Sequence, residues 1–138
     1  MKIEPFLRKA KVMAEISDFH NQHVGCVVVY KNKIISAGCN SNKTHPIQRK
    51  YNRVRFDVDA TEKYSPDSLH AEIHALIPVA NMNIDWSKVW VFTYRKLKSK
   101  KGGLARPCDS CMAFIKRLGI RHIVYSTNDG YAVEKLTQ

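Results

Sequence analysis

His70-Ala71-Glu72 and, further along, Pro107-Cys108-Asp109-Ser110-Cys111 are the residues of this chain best suited to chemistry. One imidazole and two thiolates make three ligands for a zinc ion, which takes four in a tetrahedron. Three protein ligands leave one position open for water, the arrangement of a catalytic rather than a structural site. Glu72 stands two residues after the histidine, placed to move protons beside a metal without binding it. In Cys-x-x-Cys at a helix start, the i and i+3 side chains share a face and grip one ion. The positive end of the helix dipole favours their thiolates there.

Each part alone is weak. Cys-x-x-Cys also serves as a redox pair or as half of a structural zinc site, and His-x-Glu arises by chance in many helices. A structural site would need a fourth ligand, for which Cys39 is the candidate. His74, four residues after His70, could share a helix face with it, but His-x-Glu-x-His is not the His-Glu-x-x-His of metalloproteases. It reads as a polar surface or core histidine. His20, His23, His45 and His122 show no ligand spacing. Cys26 and Cys39 fall in apolar strand-like segments, where free cysteines act as small buried hydrophobes.

The elements that must position these groups follow from periodicity. Phe6, Leu7, Ala10, Met13 and Ala14 make one apolar face of an N-terminal helix. Residues 24–30 and 33–39 are apolar, partly β-branched runs around a short polar turn, which predicts an antiparallel hairpin. Residues 40–68 are polar and aperiodic. Ser65-Pro66-Asp67-Ser68 is helix-start chemistry with His70 in the first turns, and Pro78 should end or kink that helix. Residues 88–94 predict a third strand and 95–106 a basic, glycine-containing excursion. Pro107 suits the first position of a second helix, with Cys108, Cys111, Met112, Ile115 and Leu118 on one face and Gly119 as its stop. Residues 121–125 predict a fourth strand. Only 12 residues follow Ser126, too few for a parallel crossover and its strand, so Asn128-Asp129-Gly130 predicts a hairpin with 131–136 returning antiparallel. The order αββαβαββ predicts an α/β fold in three layers, a mixed five-stranded sheet between helices that ends in an antiparallel pair.

The 138 residues, 44% of them hydrophobic, suit one domain spanning 1–138. No window approaches the roughly 18–20 apolar residues of a membrane helix, so no membrane partner is expected. Met1-Lys2-Ile3-Glu4-Pro5 has no apolar region behind a basic cluster, and a cytoplasmic location is expected. There, cysteines argue for metal or free thiols over disulfides. The net charge of +11, from 23 basic against 12 acidic residues, attracts nucleotides, RNA and DNA alike, so a nucleic-acid partner stays open.

His-x-Glu followed by Pro-Cys-x-x-Cys resembles the signature of zinc-dependent nucleobase deaminases. On that resemblance, which covers about residues 24–125, the chain is identified as a member of the cytidine deaminase-like superfamily. His70-Ala71-Glu72-Ile73 is similar to the His-Ala-Glu-Ile of tRNA adenosine and deoxycytidylate deaminases, which implies that the backbone at Ala71 touches the base. Gly38-Cys39-Asn40 resembles a Gly-aromatic-Asn segment whose asparagine contacts sugar or base, which implies the same for Asn40. The resemblance implies zinc held by His70, Cys108 and Cys111, and hydrolytic deamination in which Glu72 takes a proton from the attacking water. Glu72 then delivers protons to the ring nitrogen and the departing ammonia. It also implies a homo-oligomer, since many relatives complete the pocket from a neighbour.

Three departures bear on the substrate. The short ending is closer to free-cytidine deaminases and some polynucleotide deaminases. Residues 40–68, with Lys43, Arg49, Lys50, Arg53 and Arg55, exceed a simple connection. Residues 95–106 hold six basic residues and no acidic one. Both segments run into zinc motifs and are expected to border the pocket mouth, where a basic rim would hold phosphate and Tyr51 or Tyr64 would stack on a base; the alternative is a solvated charged surface. The first expectation is deamination of a cytosine-containing nucleoside or nucleotide. A polynucleotide cytosine or adenine deaminase is the second, and a non-catalytic zinc-fold binding module the third. An intact Glu72 argues against the last.

Overall fold

The structure, a computed structural model, describes residues 1–19, 22–55, 68–99 and 102–137, with the side chains of 53–55 outside the description. Helix α1, Ile3–Glu15, buries Leu7, Ala10 and Ala14. It lies on β1, His23–Tyr30, at Gly25, where any Cβ would overlap the Ala10 carbonyl and the Ala14 nitrogen. Strand β1 pairs antiparallel with β2, Lys33–Cys39, through a tight turn in which Lys31 and Asn32 both have positive φ (51° and 63°). That backbone twist matches the twist of the flanking strands.

Strand β3, Val89–Lys96, pairs antiparallel with β1 and parallel with β5, His122–Thr127. The parallel step requires a crossover, supplied by α4, Asp109–Leu118. Gly119 ends α4 in the left-handed conformation (φ 96°). Strand β6, Gly130–Lys135, returns antiparallel to β5, so the main path of the sheet runs β2-β1-β3-β5-β6. The expected mixed sheet with an antiparallel C-terminal pair is present. A further two-residue strand, β4 at Gly102–Gly103, pairs with the end of β3.

The sheet has helices on both faces. Val27, Val29, Phe92 and Val124 meet Leu7 and Ala10 of α1. Cys26, Val28, Val91 and Ile123 face the other side, toward Ile73 and Leu76 of α3 (Ala71–Leu76) and Phe114 and Ile115 of α4. This explains the unbroken apolar run at 26–29, which is buried from both sides. Pro78 falls in the 3₁₀ turn Ile77–Val79 that closes α3. Among the described residues no helix is long and apolar enough to cross a membrane.

Four local expectations need correction. The polar stretch after Asn40 contains a helix, α2, Pro46–Arg55. Its packed face includes the polar Gln48 and Asn52, so apolar periodicity could not show it. Residues 65–67 of the expected helix start lie outside the described residues; Ser68 forms a bridge with Thr44, and α3 begins only at Ala71. Pro107 precedes the N-cap of α4 instead of opening the helix, because Cys108 takes the capping position. The excursion at 95–106 is in part sheet, since β3 runs on to Lys96 and meets β4.

Gly25→Ala should destabilise the protein by about 3 kcal/mol or more, because backbone atoms of α1 must move to admit the methyl group. Urea unfolding with unchanged midpoint would contradict the close seating of α1 on β1.

Candidate metal centre and active site

His70 and Cys108 occupy equivalent places as the N-caps of α3 and α4, in extended conformations (φ −82°, ψ 153° and φ −69°, ψ 172°). Their carbonyls accept the first helical bonds, from His74 N at 2.9 Å and Met112 N at 2.8 Å. Neither side chain caps its helix. A Ser, Thr or Asp in such a place would bond to the orphan N–H groups and add about 1 kcal/mol. Here both side chains are left for something else.

The two helix starts converge. His70 Nδ1 lies 3.4 Å from Cys108 Sγ and 3.3 Å from Cys111 Sγ, and the three ligand atoms fall within 4.8 Å of one another. Tetrahedral zinc, with Zn–N near 2.0 Å and Zn–S near 2.3 Å, sets nitrogen and sulfur roughly 3.6 Å apart. The donors fit the ion in type and in spacing. Cys39 is not in the cluster; its thiol is raised by burial and by Asp18. His74 is not in it either. Its Nδ1 sits 3.2 Å from Cys39 N and 2.9 Å from Cys39 O, tying β2 to α3.

Electrostatically the centre awaits a cation. Cys108 is held down to about 3 by a hydrogen bond from Cys111, with help from His70, while burial and Cys108 push Cys111 up. One thiolate is therefore ready and the other must give up its proton to a metal. Glu72 is 5% exposed, and burial lifts its carboxyl to about 7, with His70 pulling it down and Cys108 adding to the rise. A carboxyl in that range can both take and return a proton at neutral pH.

A cavity of about 220 Å³ opens here, lined by Asn40, His70, Ala71, Glu72, Arg95 and Cys108 among others. Ala71, fully buried, opens α3, where a backbone N–H has no helical acceptor. Asn40 is committed mainly to the fold. Its amide oxygen accepts from Ser17 Oγ and from Val24 N at 3.0 Å, and its amide nitrogen donates to Gln22 O at 2.9 Å. Among the described residues this leaves one amide hydrogen for a ligand.

Two supporting residues escaped the sequence reading. Gln48 of α2, fully buried, accepts from His70 N at 3.0 Å and donates to Asn52 Oδ1 at 2.8 Å. Ser126 of β5 accepts from Arg95 N at 3.0 Å, donates to Gly103 O at 2.6 Å, and receives Ala105 N at its carbonyl at 2.9 Å. The first holds the backbone of the histidine. The second clips the basic excursion to the sheet as a wall of the cavity. A Gln and an Asn at i and i+4 were the only local hint of the former.

Residues 1–127 match the family model for the cytidine and deoxycytidylate deaminase zinc-binding region. The chain belongs to that family. It is a zinc-dependent deaminase, and zinc is its cofactor. Nothing matches significantly among curated protein sequences. Among solved structures, the fold is similar to that of cytidine deaminase from Burkholderia pseudomallei, with TM-score 0.64 and 17% identity over 98% of this chain and 93% of the other. It is also similar to dCMP deaminase from the cyanophage S-TIM5. The apo form gives TM-score 0.60 and 21% identity over 92% and 86% of the two chains. The form in complex with dCMP and dUMP gives 0.61 and 22% over 92% and 84%.

The two basic segments of this deaminase differ in their placement. Arg95, Leu104, Ala105 and Arg106 line the cavity, but none of the described residues of 41–68 does. Tyr51 packs against Phe114 with the rings tilted by 38° and centroids 5.0 Å apart, and so belongs to the α2–α4 contact, not offered to a base. Tyr64 and the side chains of Arg53 and Arg55 lie outside the described residues. Elsewhere, His23 Nδ1 meets Ser17 O at 3.0 Å, His45 Nδ1 accepts from Ile47 N at 3.1 Å, and His122 stacks on Trp90. His20 lies outside the described residues.

Two outcomes are expected. Gln48→Leu removes the side-chain acceptor of the His70 N–H, which should cost about 1–3 kcal/mol in urea unfolding of metal-free protein and weaken zinc about 10-fold or more in chelator competition. Glu72 keeps its proton to about pH 7 when folded and to 4.5 when unfolded. Its contribution to metal-free stability is therefore present below 4.5 and lost as pH rises through 7, about 3 kcal/mol in all. Glu72→Gln should remove that fall from the pH profile of unfolding; an identical slope in both proteins would place the titration elsewhere.

Proposed function

We propose that this chain hydrolytically deaminates a cytosine-containing nucleoside or nucleotide to the uracil product, releasing ammonia. The observation that carries the reading is the buried carboxyl of Glu72 in the same cavity as His70 and Cys108, two of the three convergent donors, with Cys111 buried beside them. These three are the proposed zinc ligands. When bound, zinc supplies a Lewis acid able to bring the pKa of water from 15.7 towards about 7. Glu72 takes one proton from the attacking water as its oxygen adds to C4 of the base, and passes it to the ring nitrogen N3. It then moves the second proton from the new C4 hydroxyl to the leaving amino group, so that water is consumed and ammonia departs. The N–H of Ala71 and the remaining amide hydrogen of Asn40 are the proposed contacts that orient base and sugar. Burial of Glu72 away from bulk water keeps the proton on this route.

A second reading, deamination of cytosine or adenine in single-stranded DNA or tRNA, is favoured by the net charge of +11. It requires affinity that falls steeply with salt, since each phosphate contact releases counterions.

The test is mass-resolved product analysis of zinc-loaded protein on cytidine, deoxycytidine, their monophosphates, adenosine, guanine and short single-stranded DNA and RNA. The expected outcome is uracil product from a cytosine monomer. Glu72→Ala should keep its zinc and lose turnover by about 10³-fold or more. Loss of zinc from that variant would make Glu72 a ligand and overturn its role.

A further inference from the structure

Two arginines line the cavity, Arg95 and Arg106, and they are in opposite states. Arg106 is spoken for. Its guanidinium donates twice to the Glu134 carboxylate, at 3.0 and 2.8 Å, and Tyr125 Oη donates to the same carboxylate at 3.1 Å. Arg95 makes no ion pair among the described residues, and its Nε is buried without a hydrogen-bond partner. Removing an N–H of a cation from water without giving it an acceptor is costly. The position is nevertheless fixed firmly. Arg95 N is bonded to Ser126 Oγ at 3.0 Å, its backbone pairs with Val24 and Gly103, and a Cβ on Gly103 would stand 3.4 Å from Arg95 Cδ.

Arg95 lines the same cavity as His70, Glu72 and Cys108, and it stands near the end of β3. Thr93 pairs with Cys26, which belongs to the same core cluster as Ala71 and Cys111. Arg95 lies two residues further along β3, about 6–7 Å away at the rise of a strand. A nucleotide's phosphate likewise stands off from its base by the width of the sugar. We propose that Arg95 is the phosphate-binding residue of this cavity, receiving a phosphate oxygen of the substrate on its guanidinium, whose buried Nε has no hydrogen-bond partner among the described residues. Arginine's planar fork matches phosphate geometry. The inference rests on the deaminase reading of the same cavity and adds to it a preference for a phosphorylated substrate. The phosphate is either the 5′-monoester of a cytosine nucleotide or a bridging diester beside a target base.

The experiment compares zinc-loaded wild type, Arg95→Met and Arg95→Lys on deoxycytidine, dCMP and a short cytosine-containing single-stranded DNA. Methionine keeps an apolar stem against Gly103, and lysine keeps the charge but not the fork. Arg95→Met should cut the kcat/KM preference for dCMP over deoxycytidine about 100-fold, chiefly through KM, and Arg95→Lys should cut it less. A matching loss confined to the oligonucleotide supports the same contact with a diester. A preference unaltered in both variants overturns the proposal and leaves the deaminase reading intact. If no compound is turned over, calorimetry with dUMP and inorganic phosphate on the same proteins decides. Binding that depends on Arg95 keeps the phosphate site while the cytosine-substrate reading falls, and binding indifferent to Arg95 ends both.

Discussion

Three donor atoms within 4.8 Å, two of them lining a cavity with a buried carboxyl, crowd ionisable groups into a site with little water to solvate their charges. Burial comes first in raising the Cys111 thiol and the Glu72 carboxyl, with Cys108 adding to both, while hydrogen bonds from Cys111 and His70 hold Cys108 down. A flexible chain would relieve that crowding by moving apart. This one cannot, because each donor sits at or near the first residue of a helix whose remaining turns are packed into the core. The positive ends of two helices favour negative charge there, and a dication favours it more.

The rest of the architecture holds those two helix starts in place. The parallel step from β3 to β5 obliges α4 to cross one face of the sheet, which carries Cys108 and Cys111 toward the face where α3 lies. Gln48 secures the backbone of His70 from the side of α2, and His74 fastens α3 to β2. On the opposite face, α1 can press against β1 only because residue 25 has no side chain. Ser126 then converts a basic, glycine-containing segment into a wall, bonding to Arg95, Gly103 and Ala105 at once. Polar groups with few partners to spare govern the shape of the cavity, whereas apolar packing governs where the helices lie.

Much of this was legible in the chain. The metal donors and Glu72 announced themselves because coordination chemistry restricts residue type and spacing. The hairpins showed because tight turns demand particular backbone conformations and short sequence separation. The antiparallel return of β6 was legible in Asn128-Asp129-Gly130, a tight-turn sequence between two strand-like runs. By contrast α2 was hidden, because its inward positions include Gln48 and Asn52, which look like surface residues until their partners are seen. Tyr51 looked free to stack on a base and is instead packed on Phe114. Charge counting also treated Arg95 and Arg106 alike, though a carboxylate on β6 engages one and leaves the other alone.

The sequence by itself therefore determined the reaction class, the metal and the order of elements apart from α2 and β4, since each depends on residue identity and on local spacing along the chain. Only the tertiary structure decided which polar groups meet. It brought His70 to Cys108 and Cys111 across 38 and 41 residues, set Gln48 behind the histidine, and paired Arg106 with Glu134 while leaving the Nε of Arg95 without a partner among the described residues. Hydrogen bonds and charge pairs act over a few ångströms in space, whatever the separation in sequence. A linear pattern carries no record of a partner that arrives from another strand or helix.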